Sequence, residues 1–169
     1  MKPFAKITSV ALLAALFSTG CKQSVCDDPV PSMTFDEFLW QDTIAILKYR
    51  FRDCDGDIGI GPNQNYPPYD SGSYYEFNYR ANVYSLNNGV WEVALSTYDT
   101  NSIGLNSRIT FLNDRSEDQE LEGVIEKRIE PYADYFIPGD TIKFEVWIID
   151  QALNESIPAE SDPIVVPGI

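Results

Sequence analysis

From about Met33 onward, apolar and polar side chains alternate with a period of two. Leu47, Tyr49 and Phe51 alternate with Lys48, Arg50 and Arg52, and Tyr75, Phe77, Tyr79, Ala81 and Val83 with Glu76, Asn78, Arg80 and Asn82. Trp91, Val93 and Leu95 are separated by Glu92 and Ala94, Ile109 and Phe111 flank Thr110, and Ile142, Phe144, Val146 and Ile148 enclose Lys143, Glu145 and Trp147. Such alternation sends one row of side chains into a core and the other into water, which predicts half-buried antiparallel strands. Asn87-Asn88-Gly89 lies between two such runs and predicts a hairpin. Pro138-Gly139-Asp140 predicts a type II turn into a strand over 141–149. Two segments read either way. Thr34 and Glu37 are spaced as a helix capping box, and Leu121, Val124, Ile125 and Ile129 fall at helical spacing. Both are assigned to strands because their surroundings are strand-rich. The sum is an all-β chain of about seven or eight strands over residues 33–169, an antiparallel β-sandwich.

The first 32 residues follow a different pattern. Lys2 and Lys6 precede an apolar run from Ile7 to Phe17 that is too short to span a bilayer. Ser18-Thr19-Gly20 then supplies small residues before Cys21. Residues 1–20 read as a signal peptide. The Gly20-Cys21 junction resembles a bacterial lipobox, with Ser18 where Leu is usual. That resemblance implies acylation of Cys21 as the new N-terminus and attachment to the outer membrane, on its periplasmic or its cell-surface face. Ordinary secretory cleavage near the same point is the alternative. Residues 21–32, with Pro29 and Pro31, read as an extended lipidated tether. Several acyl chains would make the attachment stable.

Composition narrows the chemistry. Cleavage after Gly20 leaves 149 residues with ten basic against 26 acidic side chains, a net charge of −16. That charge repels nucleic acid and anionic head groups and favours cations or basic partners. Histidine is absent, which removes the usual Ser-His and Cys-His pairs and most zinc sites. No enzyme is expected. A hydrolase would have to work through carboxylates or a metal, and chance pairs of acids are too common here to mark one.

Two features are local enough to suggest a site. Asp53, Asp55 and Asp57 alternate through Asp53-Cys54-Asp55-Gly56-Asp57-Ile58-Gly59. Carboxylates spaced this way in a bent loop can converge on a hard cation such as Ca2+, with Asp70, Asn63, Asn65 or backbone carbonyls completing the shell. The segment begins like an EF-hand but has Ile58 and Gln64 where that motif needs Gly and Glu. The competing reading is an Asp-Gly turn whose charges are balanced by Arg50 and Arg52. The second feature is the segment from Gly61 to Tyr75. It carries Tyr66, Tyr69, Tyr74 and Tyr75, whose rings suit a glycan or a protein partner when exposed and pack over the end of the sandwich when not. With Cys21 acylated, Cys26 and Cys54 remain, either as free thiols or as a disulfide. The disulfide would close a loop of about 29 residues and contribute roughly 3 kcal/mol.

The run Phe51-Arg-Asp-Cys-Asp-Gly-Asp-Ile-Gly-Ile60 resembles the F-x-D-x-D-G-D-I-G signature of a group of small Gram-negative envelope lipoproteins. Val146 to Ser156 resembles the V-x-D-x-A-x-N-x-S hairpin of bacterial Ig-like domains. The resemblance implies an Ig-like β-sandwich behind a lipid anchor and brings no catalytic residue. The expectation is a lipid-anchored, non-enzymatic binding or accessory protein, calcium-stabilised through Asp53, Asp55 and Asp57, whose protein or glycan partner the residues do not name. A carboxylate- or metal-dependent hydrolase and a purely structural envelope lipoprotein are the alternatives.

Overall fold

A computed structural model of the chain describes residues 26–95, 103–110 and 119–168. The expected signal peptide over 1–20, the expected acylation site Cys21 and Phe111 lie outside the described residues. The fold is an all-β sandwich of two antiparallel sheets. The first sheet has the order β1-β2-β5, with β1 spanning Ser32–Gln41, β2 Ile44–Asp53 and β5 Leu121–Ile129. The second has the order β4-β3-β6-β7, formed by β3 (Tyr79–Asn87), β4 (Val90–Val93), β6 (Thr141–Ile148) and β7 (Ala159–Glu160). A short strand β8 (Ile164–Val165) also pairs with β6.

Alternation specifies the central strands directly. In β6, Ile142, Phe144, Val146 and Ile148 are buried while the residues between them are not. In β3, Tyr79, Ala81 and Val83 point the same way, and in β2 so do Leu47 and Tyr49. These rows form one core with Met33, Ile58, Leu121, Ile129 and Phe136. Phe38 of β1 stacks on Phe144 of β6 with ring centroids 5.6 Å apart, joining the two sheets. The expected turns are present: Asn88-Gly89 connects β3 to β4, and the Asp140 amide donates to the Ile137 carbonyl at 3.1 Å before β6.

Both ambiguous segments are strands. In β1 the pairing with β2 shifts register between Phe35 and Glu37. That bulge places Met33 and Phe35 ahead of it, and Phe38 and Trp40 after it, on the core side. In β5 the core-facing row is Leu121, Gly123, Ile125, Lys127 and Ile129. Gly123 pairs with Phe51, and a Cβ there would approach the Phe51 ring to 3.2 Å. Lys127 extends over the Tyr79 ring at 5.8 Å.

The strand expected from Tyr75 starts only at Tyr79. Tyr74–Glu76 forms a 3-10 turn instead. The Glu76 carboxylate folds back to accept from the Gly72 amide at 2.7 Å, and its carbonyl accepts from Arg108 Nε at 2.8 Å, so this backbone is engaged in a turn. Ile109 and Thr110 do not form a strand either. They lie in a segment held by isolated bridges, Tyr79 to Ser107 and Ile60 to Thr110.

The chain ahead of β1 packs on the domain. Cys26 and Cys54 are joined by a disulfide with Cα atoms 5.2 Å apart, Pro31 is buried, and the Pro29 carbonyl accepts from Asn154 Nδ2 at 3.4 Å.

Candidate cation site

The end of β2 delivers the site. Asp53 is its last residue and is completely buried. The chain then turns through Cys54-Asp55-Gly56-Asp57, and the two following isoleucines fasten it: Ile58 and Ile60 are both buried, and the Ile60 amide donates to the Ile109 carbonyl at 2.8 Å. Gly56 sits at φ +70° with its Cα against the Gln119 carbonyl, where any Cβ would collide. The loop is thus held from both sides before any ligand is considered.

Carboxylate oxygens of Asp53, Asp55 and Asp57 all lie within 4.8 Å of one another. The Oδ1 atoms of all three are buried without a hydrogen-bond partner. Two of the opposite oxygens are engaged: Asp53 Oδ2 accepts from the Ile58 amide at 2.9 Å, and Asp57 Oδ2 from the Ala152 amide at 3.0 Å. An ionised carboxylate has no proton to donate, so three acceptors facing one another cannot satisfy each other. The strain appears in their protonation. Burial pushes Asp53 up to about 7, aided by the hydrogen bond its protonated form makes to Asp55 and opposed by the Ile58 amide. Burial, then the charge of Asp150, pushes Asp57 up to about 6.

The cations that would balance a simple Asp-Gly turn are paired elsewhere. Arg50 donates to Asp36 at 2.8 Å and Arg52 to Glu120. Among the described residues no ion pair joins Asp53, Asp55, Asp57 or Asp150 to a Lys or Arg. The cluster fits a hard divalent cation by its donor set, which is all oxygen, and by its orphaned buried acceptors. Of the side chains expected to complete the shell, Asn63 is exposed and Asn65 Oδ1 is taken by Arg108 at 2.8 Å.

The tyrosines separate into two roles. Tyr69 is buried, and its hydroxyl donates to the Gln151 carbonyl at 3.0 Å. It therefore belongs to the wall of the acidic site and not to an exposed binding face. Tyr66 and Tyr74 are exposed, and Tyr75 is half-buried with its ring 5.1 Å from that of Tyr74. The Tyr74 ring also lies under the Arg80 guanidinium at 4.8 Å, and its hydroxyl reaches Glu155 at 3.1 Å.

Two contributors escaped the sequence reading. Arg108 donates to the carbonyls of Gln64, Tyr69 and Glu76 and to Asn65 Oδ1, pinning the whole 61–76 loop. Nothing local distinguishes it from any other surface arginine. Asp150 is 2% exposed and caps a tight turn, accepting from the Asn154 amide at 2.7 Å and from Asn154 Nδ2 at 2.8 Å. Its signal was the Asp-x-x-x-Asn spacing, which marks a turn but not its neighbour. No family model, curated protein or solved structure matches the chain.

Proposed function

We propose that this protein is a lipid-anchored, non-enzymatic binding or accessory module of the outer membrane, with a sandwich stabilised by Ca2+ held at Asp53, Asp55 and Asp57. The observation that carries the cation is the trio of buried, partnerless Oδ1 atoms on one loop, with no basic side chain paired to them. Enclosure supports a structural role for the ion, because catalytic metal sites keep a coordination position open to substrate. The basic start, apolar run and Gly20-Cys21 junction support the anchor. Exposed Tyr66 and Tyr74, on the loop that Tyr69 and Arg108 tie to the site, support this end of the sandwich as the contact surface for a protein or glycan.

Thermal unfolding tests the reading. Free Ca2+ at 100 times its dissociation constant contributes about 2.7 kcal/mol, a rise of several degrees in Tm. Asp55→Asn is expected to abolish that rise. No shift at millimolar Ca2+ in the wild-type protein overturns the cation.

A further inference from the structure

The loop by itself is an incomplete shell. Ca2+ takes six to eight oxygens, whereas one oxygen each of Asp53 and Asp57 already accepts from an amide. With Asp55, the loop presents three converging carboxylate groups. The segment that meets them is the Asp150–Asn154 turn, 95 residues away in sequence at the Asp57–Ala152 hydrogen bond. We infer that this turn is the second half of the cation site, with Asp150 supplying a fourth carboxylate, so that one bound Ca2+ bridges the end of β2 and the chain leaving β6.

Four observations carry this. Asp150 is almost fully buried and has no cationic partner among the described residues. Both of its oxygens accept from Asn154, and each keeps a further lone pair for a metal. The turn is fixed against the loop at two points, by the Ala152 amide on Asp57 and by the Tyr69 hydroxyl on the Gln151 carbonyl. Asp53 supplies a fully buried side chain whose Oδ1 has no partner at this junction. The oxygens of the loop trio converge within 4.8 Å without Asp150, and a fourth carboxylate drawn in from the second segment would give an irregular, oxygen-only shell, which suits Ca2+ better than the strict octahedron of Mg2+.

The inference rests on the reading of 53–57 as a cation site, and its test separates the two. The probe is Ca2+ alone, titrated by calorimetry into the detergent-solubilised full-length protein with the Cys26–Cys54 bond intact. Asp55→Asn is expected to remove binding. Asp150→Asn is expected to weaken affinity at least tenfold while the ion-free Tm stays within a few degrees of wild type. Hydrogen exchange on the wild type gives a readout that needs no variant. Ca2+ is expected to slow the amides of Ala152 and Asn154 together with those of 55–58. Protection confined to 53–58, or unchanged affinity in Asp150→Asn, overturns the two-segment site and leaves the loop site standing. No heat and no protection in the wild type overturns both. If Asp150→Asn fails to fold, the exchange pattern of the wild type decides.

Discussion

A single carboxyl, Asp53, carries much of the chemistry. Its ordinary pKa of 3.8 rises to about 7 in the fold, and that of Asp57 to about 6. Between those limits the native state holds protons that the unfolded chain has released. Unfolding therefore releases protons, and stability falls as pH rises. For these two groups the contribution is complete below about pH 4 and is lost as pH climbs through 6 and 7. The Tm of the protein in ion-free buffer is accordingly expected to be higher at pH 4.5 than at pH 7.5, and Asp53→Asn is expected to flatten the slope. Saturating Ca2+ replaces the protons and should restore the neutral-pH value. Differential scanning calorimetry across that range checks this, and a Tm that climbs steadily from pH 4 to 7 without the ion would sink it.

At the scale of elements, the loop after β2 depends on how closely two backbones approach. Gly56→Ala meets both a left-handed backbone, which disfavours any side chain by about 1–2 kcal/mol, and the Gln119 carbonyl. Gly72 shares the positive φ, at +82°, but has open space around it. Urea unfolding is expected to show Gly72→Ala destabilised by about 1–2 kcal/mol and Gly56→Ala by at least about 1 kcal/mol more, with m unchanged in both. Equal losses would mean that the contact with residue 119 contributes nothing. The same scale explains what could be read from the chain. β2, β3 and β6 announce themselves because every second residue is apolar and buried. β5 does not, because Gly123 makes room for Phe51 and Lys127 lies over Tyr79, so the core-facing row loses its apolar signature and only a helix-like spacing is left. β1 is disguised by its bulge, which puts two residues between Phe35 and Phe38 instead of one and imitates a helical step.

For the whole molecule, the site was half legible. Asp53, Asp55 and Asp57 are adjacent in sequence and declare themselves. Asp150, Tyr69, Arg108 and Gln119 reach the same region only through the fold, and local pattern carries no trace of that. The disulfide acts at this scale too. It connects the segment before β1 to the residue between Asp53 and Asp55. Reduction is expected to lower stability by about 3 kcal/mol through the freed 28-residue separation. It is also expected to weaken Ca2+ binding, because Cys54 would no longer be fixed. Calorimetric titration with and without reductant measures the second effect, and an identical affinity in both states would show that the bridge and the site are independent.

That bridge also determines where force enters. Tension arriving along the chain ahead of Cys26, as from a membrane anchor, cannot peel β1 from β2, because the load crosses the sulfur bridge directly to Cys54. It passes next into the aspartate loop, whose grip on the rest of the fold includes the Asp57–Ala152 hydrogen bond. A divalent ion bound between those segments would then be the mechanical clasp of the domain, loaded first whenever tension arrives along that chain.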